Sequence, residues 1–554
     1  MPTSSVAVMS DEPVYRSWLD AASYDQLAQR FDWSVVDREL GWQDSGSIDL
    51  GRTIVDRNVG RPNPALVWVD RDGEPSEVSY LQLSHDSARC ARVLRRLGIR
   101  KGDRVAALMP RVPETIALLI ACLKLGAVYV PIFTGFSIDG IRYRVRHSGA
   151  KLLCTIDEQV SSLAGFEDCP VLMMRGNAEG TLSYEDEARG ELADFENVAV
   201  QRDDIAVIMY TSGSTGMPKG GLLAANLVAA VWPYLRSAVA LREGDRYWPT
   251  GDPGWGYGLI CYLSALAAGG TVVMSRRNLR AADALAMMKK VGVTNLASTP
   301  TLLRDIIALG DDAVAQAGCF VHTITSCGEP LNSEVVEFFR RVWRVDPLDQ
   351  FGATEFGVLI SNYAAMMEVK PGSMGRCALG HEIALLDEQG VPVAHGSPGY
   401  VAKRQGGGAL YFLGYWNDPE ATAQTIADGW IRTGDIARLD DEGYYWFQGR
   451  SGDMIKSSGY RLGPFEIESA ILRHPLVAEA GVIGKPDPLR GEAIKAFVVL
   501  KPGHTAATGL ADEIVALIKA TLGRHQAPHE IEFVEDLPKT STGKIQRFAL
   551  RERP

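Results

Sequence analysis

The side chains best suited to chemistry in this 554-residue chain lie in Tyr210-Thr211-Ser212-Gly213-Ser214-Thr215-Gly216-Met217-Pro218-Lys219-Gly220. Its glycines free the backbone to turn and to present N–H groups inward. Its hydroxyls and Lys219 add donors, so the stretch can hold phosphate oxygens. An apolar run, Ile205 to Met209, precedes it and an Ala/Leu-rich helical pattern follows from about Leu222. That predicts a strand-to-helix connection, where a doubly wound sheet puts its ligands. The residue order is not a Walker A loop, because no Gly-Lys-Ser/Thr stands at the required spacing. A flexible Ser/Gly surface linker is the plain alternative, and the flanking strand and helix argue against it.

Hydrophobic spacing places the elements that must position this stretch. Tyr15 to Gln43 carries Trp18, Leu19, Tyr24, Leu27 and Phe31 at helical spacings, which predicts an amphipathic helix or two covering the main body. Apolar runs at Ala65 to Val69, Val105 to Met109, Ala127 to Ile132, Leu152 to Ile156 and Val171 to Met174 then alternate with helical stretches such as Tyr80 to Leu97 and Pro113 to Leu125. Such alternation means a parallel or mixed sheet with helices on its faces. It resumes with strands near Arg246 to Pro249, Thr271 to Met274, Asn295 to Ser298, Thr323 to Ser326 and Leu348 to Phe351.

Past about Gly372 short β runs with Gly and Asp turns, including a hairpin over 430–447, predict a smaller β unit. After Gly449-Arg450 a new pattern opens: strand-turn-strand over Met454 to Arg461, helix over Pro464 to Leu472, strands over Val477 to Ile483 and Ile494 to Leu500, helix over Asp512 to Leu522. The expected fold class is α/β. A large N-terminal domain of packed α/β subdomains plus a β subdomain fills 1–448, a hinge lies at 449–453, and a small C-terminal α+β domain takes 454–554.

Composition bounds the partners. Lys and Arg number 57 against 68 Asp and Glu, a net charge of −11 spread without a charged block. This argues against nucleic acid or an anionic membrane surface as the main partner, so a polyanionic ligand must be held by local donors. Eight scattered cysteines with no C-x-x-C read as reduced, mostly buried thiols of a cytoplasmic protein. Met1 to Pro13 is polar, which predicts no signal peptide. Pro253 to Ser275 is uncharged, but Gly269-Gly270-Thr271 splits it into a helix-like piece and a β-branched strand, so no membrane span is expected.

The chain also carries, in order, GDPGWGYGL, SCGEPLN, QFGATEFG, GWIRTGDIARLDDEGYYWFQGR, SSGYRLGPFEIES and LPKTSTGKIQR. With YTSGSTGMPKG, and over almost its whole length, it resembles the adenylate-forming (AMP-binding) superfamily of acyl-CoA synthetases, most of all the acetyl and medium-chain branch. The resemblance implies ATP, Mg2+ and coenzyme A as cofactors and a carboxylic acid as substrate. In that family the first loop, here Thr211, Ser212, Gly213, Ser214, Thr215, Gly216 and Lys219, closes over the β- and γ-phosphates of ATP. Gln350, Phe351, Gly352, Thr354 and Glu355 match the segment that places an aromatic ring on adenine, a hydroxyl at the α-phosphate and a carboxylate on magnesium. A hard cation bridging phosphates takes oxygen ligands, and Glu355 is the one acid there. The family usually has Tyr at Phe351, so stacking survives and the phenol hydrogen bond does not. Gly328, Glu329 and Pro330 resemble the segment lining the adenine pocket, Asp435 the acid that accepts both ribose hydroxyls, and Arg450 a residue that helps hold the ribose near the domain joint.

Lys544, in Thr540-Ser541-Thr542-Gly543-Lys544, matches the family's catalytic lysine. Carboxylate attack on the α-phosphate develops charge between two anions, and a cation brought to both stabilises that transition state. In the second step a thiol attacks the acyl adenylate. Gly459, Tyr460 and Arg461 resemble the lining of the pantetheine path, and Lys456 stands where some relatives have a lysine that faces the site only in the second conformation. Trp255 resembles the aromatic gate between acyl pocket and tunnel, with Gly256, Tyr257, Gly352 and Gly357 in the pocket. Relatives restricted to acetate carry Trp at Gly352, which implies a larger acid here; peptide-synthetase domains carry Asp at Gly256, so an amino acid is not expected. The hinge residue, commonly Asp or Lys, is Gly452, which can absorb a large backbone rotation but brings no charge to bias two poses.

The resulting expectation is an acid–CoA ligase that works through an acyl adenylate and releases AMP and pyrophosphate. One alternative is delivery to the phosphopantetheine of an acyl carrier protein; another is a non-catalytic nucleotide-binding protein. No H-E-x-x-H pair and no G-x-S-x-G elbow offers metalloenzyme or serine-nucleophile chemistry instead.

Overall fold

The computed structural model describes residues 23–43, 46–211, 217–363, 366–458, 460–539 and 545–553, with the backbone alone at 461. Two mixed sheets carry the first four hundred residues. One orders its eight strands Phe412–Tyr415, Lys219–Ala224, Ile205–Thr211, Val128–Pro131, Arg104–Leu108, Leu152–Ile156, Val171–Arg175 and Leu182–Ser183. The other runs through nine, from Arg376–Cys377, Gly357–Ser361, Pro347–Ala353, Thr323–Cys327 and Asn295–Ser298 to Arg246–Pro249, Thr271–Ser275, Pro64–Val69 and Pro75–Ser79. Most interior neighbours are parallel, as in Val105 beside Leu152 and Thr325 beside Leu348. Parallel strands need helices on both faces, and Leu152–Ile156, Thr271–Ser275 and Thr323–Cys327 are accordingly buried along their whole length.

Those helices start and stop where local chemistry requires. Tyr80–Arg96 opens on Ser79, whose hydroxyl accepts from Gln82 N at 3.1 Å, and ends on Arg95 and Arg96. Pro113–Leu125 opens on Pro113 and closes on Gly126 in the left-handed region at φ 69°. Its Lys124 is buried and pairs with Asp56 at 2.7 Å. The uncharged stretch around residue 260 forms helix Gly256–Ala267, buried throughout, and strand Thr271–Ser275. Among the described residues no helix is long and apolar enough to cross a membrane, and all eight cysteines are free thiols.

One expected element is different. Lys219–Ala224 is a strand antiparallel to Ile205–Thr211, with Thr211 opposite Lys219, and the helix begins only at Leu227. The segments that flank the glycine-rich stretch are therefore two paired antiparallel strands instead of a strand and a helix. Lys219–Ala224 holds the extended state because it is paired on both sides, its outer partner being Phe412–Tyr415. Its glycines permit that fit: a Cβ at Gly220 would lie 2.9 Å from Ile208 Cγ2.

The β unit is a five-stranded sheet in which Trp430–Leu439 pairs with Gly399–Arg404 and Tyr445–Arg450, over a core of residues such as Phe356, Val401, Ile431 and Tyr445. The last hundred residues build a second five-stranded sheet around the long hairpin Val477–Asp487 and Gly491–Leu500, with helices Pro464–Leu472 and Leu510–Thr521. Its main core, from Ile455 to Ala527, contains no residue of the preceding units.

Candidate active site

Three segments far apart in sequence meet at Thr354. A Cβ at Gly221, on the glycine-rich hairpin, would be 3.5 Å from Thr354 Cγ2, and one at Gly256 would be 3.3 Å from Thr354 Oγ1. Gly256 is the first residue of helix Gly256–Ala267, which has no side-chain cap at its Trp255 N-cap. The helix N-terminus, with the partial positive charge of its first N–H groups, therefore starts beside Thr354. Next in sequence, Glu355 accepts a hydrogen bond from Tyr415 OH at 2.8 Å, and the Tyr415 ring carries Lys219 Nζ 5.5 Å from its centroid. Burial, then the Glu355 charge, pushes the Tyr415 phenol above its ordinary range. The hairpin is braced below by Tyr143 OH, which donates to Pro218 O at 2.9 Å, and by His147 Nδ1, 2.9 Å from Tyr210 OH. Ser212, Gly213, Ser214, Thr215 and Gly216 lie outside the described residues.

Strand Pro347–Ala353 carries the second group. Phe351 is half-buried and stacks on Phe356, ring centroids 6.0 Å apart at 23°. Gln350 is buried, and its side chain runs to Tyr234 and Tyr257 instead of the surface. A Cβ at Gly352 would lie 2.4 Å from Gly357 O and 3.1 Å from Val358 Cα, so glycine is demanded by the approach of two strands. That overturns the simplest form of the size argument: the missing side chain serves a backbone contact there and leaves no volume behind. Gly357 itself is left-handed at φ 70°, with Tyr411 beside its Cβ position. Trp255 packs across Gly328, whose Cβ position is 2.8 Å from the indole, and meets Tyr257 edge-on at 6.0 Å. The Glu329 side chain is held by Arg304 at 2.9 Å and Thr301 at 3.2 Å.

A third group sits at the edge of the β unit. Asp435 is buried and faces Arg450 across the hairpin, Oδ1 to Nε 3.3 Å, while the Arg450 side chain is 66% exposed. Thr433 accepts from Asp435 N at 3.0 Å and donates to Val401 O at 2.9 Å, which fixes the turn. Beyond it Gly452 has nothing within 4 Å of its Cβ position, and its carbonyl accepts from Arg551 at 3.1 Å. Lys456 is exposed, and Tyr460, 53% exposed, lies on His525 with centroids 4.7 Å apart. Gly459, the Arg461 side chain and Lys544 lie outside the described residues.

Tyr415, Tyr234 and Asp349 were invisible to motif reading, since each reaches the site across tens to hundreds of residues. Asp349 accepts from Leu331 N at 3.3 Å and Gln350 N at 2.9 Å, tying the SCGEPLN segment to the strand. No cluster of three His, Cys, Asp or Glu among the described residues could hold a metal by itself. A single half-buried carboxylate, Glu355, nonetheless fits Mg2+, which takes few protein ligands and completes its shell with phosphates and water.

A family model described as AMP-binding enzyme matches residues 56–416, and one described as AMP-binding enzyme C-terminal domain matches 466–544. The chain is 35% identical to acetyl-coenzyme A synthetase of Bacillus subtilis over 96% of its own length and 94% of that protein's. It is 33% identical to the mitochondrial acyl-coenzyme A synthetase ACSM4 of Rattus norvegicus, covering 90% of this chain and 88% of the relative. The crystal structure of Brucella canis acyl-CoA synthetase superposes with a TM-score of 0.77 at 36% identity, over 96% of this chain and 98% of that one.

Proposed function

The chain belongs to the AMP-binding enzyme family, and from that premise we propose that it activates a carboxylic acid larger than acetate as an acyl adenylate and passes the acyl group to coenzyme A. The class follows from the family: an AMP-forming acid–CoA ligase that uses ATP and CoA. A carboxylate is a poor electrophile with a poor leaving group, and AMP corrects both.

The observation that carries the assignment of parts is the convergence on Thr354. The Gly221 strand packs on the Thr354 methyl, and the N-terminus of helix Gly256–Ala267, which has no side-chain cap, starts beside the Thr354 hydroxyl, a placement suited to a phosphoryl group in transit between carboxylate and pyrophosphate. In this reading Lys219 and the loop from Thr211 to Gly216 hold the leaving phosphates. Thr354 binds the α-phosphate, Phe351 and the Gly328 to Pro330 backbone take adenine, and Asp435 with Arg450 takes the ribose. Glu355 would hold Mg2+, which supplies charge neutralisation on the phosphates. Lys544 supplies the mobile cation. Trp255 gates the acid pocket, and Gly256 places no side chain against Thr354. The segment 449–453 with Gly452 is the hinge, after whose rotation Lys456 and Gly459 to Arg461 face the site and line the pantetheine path.

Acid-dependent exchange of labelled pyrophosphate into ATP, run over a broad acid panel, tests this. Exchange is expected with at least one acid and a loss of a hundredfold or more in Lys544→Ala. Adding free CoA should release the acyl-CoA thioester. Exchange without thioester formation would point to a carrier-protein thiol, and no exchange with any acid would refute the ligase reading.

A further inference from the structure

Lys219 and Glu355 bring opposite charges to one tyrosine, and among the described residues neither forms an ion pair, with the other or with a third group. The tyrosine is Tyr415. Its hydroxyl donates to Glu355 Oε1 at 2.8 Å, and Lys219 Nζ stands over its ring, 5.5 Å from the centroid. A neutral phenol thus engages both charges and cancels neither. The π face attracts the ammonium, and the hydroxyl takes one of the carboxylate's roughly four lone-pair sites, leaving the rest for a cation.

Tyr415 is itself fixed from several sides. Strand Phe412–Tyr415 pairs with Lys219–Ala224, with Tyr415 opposite Gly221. The following residue, Trp416, donates from its backbone N to Gly220 O at 2.8 Å and from Nε1 to His147 O at 2.9 Å. Tyr415 N donates to Thr422 Oγ1 at 2.8 Å, and that hydroxyl donates to Asp418 O at 2.8 Å. Phe412 meets the Tyr415 ring edge-on, centroids 5.2 Å apart. The phenol oxygen is therefore a fixed point against which the longer and more flexible Glu355 and Lys219 side chains can be set. Without it the two charges could close on each other, and that pair would have to be broken before either could hold a cation or a phosphate.

We propose that Tyr415 is a positioning residue for the metal site: it orients the Glu355 carboxylate toward the Mg2+ of Mg·ATP and keeps Lys219 from neutralising it. The proposal rests on the assignment of Glu355 to Mg2+ above. Carboxylates that ligate metals are commonly fixed by such outer partners, whose loss costs about 10–100-fold in metal affinity or activity.

Calorimetric titration of the full-length protein with ATP, once in EDTA and once in excess Mg2+, with no acid present, tests it, since the ratio of the two affinities isolates the metal's share. Tyr415→Phe keeps the ring beside Lys219 and removes only the hydroxyl. It is expected to lower that ratio about tenfold and to leave the affinity in EDTA unchanged. In a Glu355→Gln background, whose own ratio should fall, the same change should cost nothing further, because the group it acts through is gone. Tyr415→Leu removes the ring as well and should also weaken ATP binding in EDTA, by about threefold. A Tyr415→Phe protein with the wild-type ratio overturns the proposal, as does one that weakens both titrations alike, the result of a merely structural tyrosine. A loss in the double variant equal to that in the single one also overturns it. Should Tyr415→Phe fail to fold, 3-fluorotyrosine at position 415 decides: its fluorine resonance should move when Mg2+ is added to the ATP complex, and an unmoved resonance counts against the proposal. A wild type that binds ATP alike in both titrations, or a Glu355→Gln protein with the wild-type ratio, strikes the assignment of Glu355 to Mg2+ and the proposal with it, so the two failures are distinguishable.

Discussion

Asp349 shows how a single buried acid can position a site and make it sensitive to pH. Burial pushes its carboxyl up to about 7, opposed by the two backbone N–H bonds it accepts from Leu331 and Gln350. The unfolded chain releases this proton near 3.9, so between about pH 4 and 7 the native state binds more protons than the unfolded one. The stability contribution is complete below that window and is lost as pH rises through 7. A drop of about 2 kcal/mol between pH 5.5 and 7.5 is the order expected. Asp349→Asn, compared with wild type by urea midpoints at the two pH values, should show a visibly smaller drop. Glu334, also raised to about 7, contributes with the same sign, so the dependence should shrink and not vanish. An unchanged drop in the variant would exclude Asp349 as its source. Lys124 is the contrasting case: it is equally buried, but an opposite charge, Asp56, lies 2.7 Å from its Nζ.

Among the elements, the pair Pro347–Ala353 and Gly357–Ser361 is the most sensitive to change. Phe351, Thr354 and Glu355 ride on it, and its register slips between Phe351 and Gly352. Because a Cβ at Gly352 would meet backbone atoms on the neighbouring strand, Gly352→Ala cannot be absorbed by a side-chain rotation and must part the strands. Overpacking of this kind costs about 1–3 kcal/mol, and the shift would also carry Thr354 away from Gly256. The expected result is a lower thermal midpoint with pyrophosphate exchange reduced more than tenfold. Gly60→Ala, where nothing lies within 4 Å, should leave both unchanged. A Gly352→Ala enzyme with wild-type midpoint and exchange would mean that the strands can separate at no cost.

The sequence made such elements legible where the strand was β-branched and the helix amphipathic. Asn295–Ser298, Arg246–Pro249 and helix Pro464–Leu472 stand where periodicity put them. Lys219–Ala224 escaped because Lys-Gly-Gly-Leu-Leu-Ala has little intrinsic β preference; two neighbouring strands impose its state. Motif order likewise singles out Thr354, Glu355 and Asp435 as candidates, since each lies in a short motif of consecutive residues. It could not name Tyr415 on Glu355 or Tyr234 on Gln350, contacts 60 and 116 residues apart that exist only after the sheets assemble. Nor could it show that Gly352 is filled by a backbone, which is a fact of strand approach and not of residue type.

At the scale of the molecule, the proposed hinge requires the last hundred residues to move, and the contacts across the junction would decide how readily. Asn332 donates to Ser469 at 3.0 Å across the junction, and the next helix, Ser333–Val342, carries Glu334 in its first turn. Burial pushes the Glu334 carboxyl up to about 7; Glu337 raises it further, while Arg473 and Lys501, from the C-terminal unit, act against the shift. Its Oε1 is buried without a hydrogen-bond partner. Once the C-terminal unit moves away, this carboxyl should return toward 4.3. The docked form therefore binds more protons between those values: docking is strongest at low pH and weakens as pH rises through 7. From pH 6 to 8.5 the ratio of docked to released molecules should fall about tenfold, the equivalent of one pKa unit. Small-angle scattering of the wild type should accordingly show a growing extended population at pH 8.5, while Glu334→Gln, neutral in both forms, should scatter alike at the two pH values. If the variant responds to pH as the wild type does, Glu334 is not the group that couples the junction to protons, and the pose of the C-terminal unit is set instead by the Arg551 contacts to Gly452 and Asp453 at the hinge.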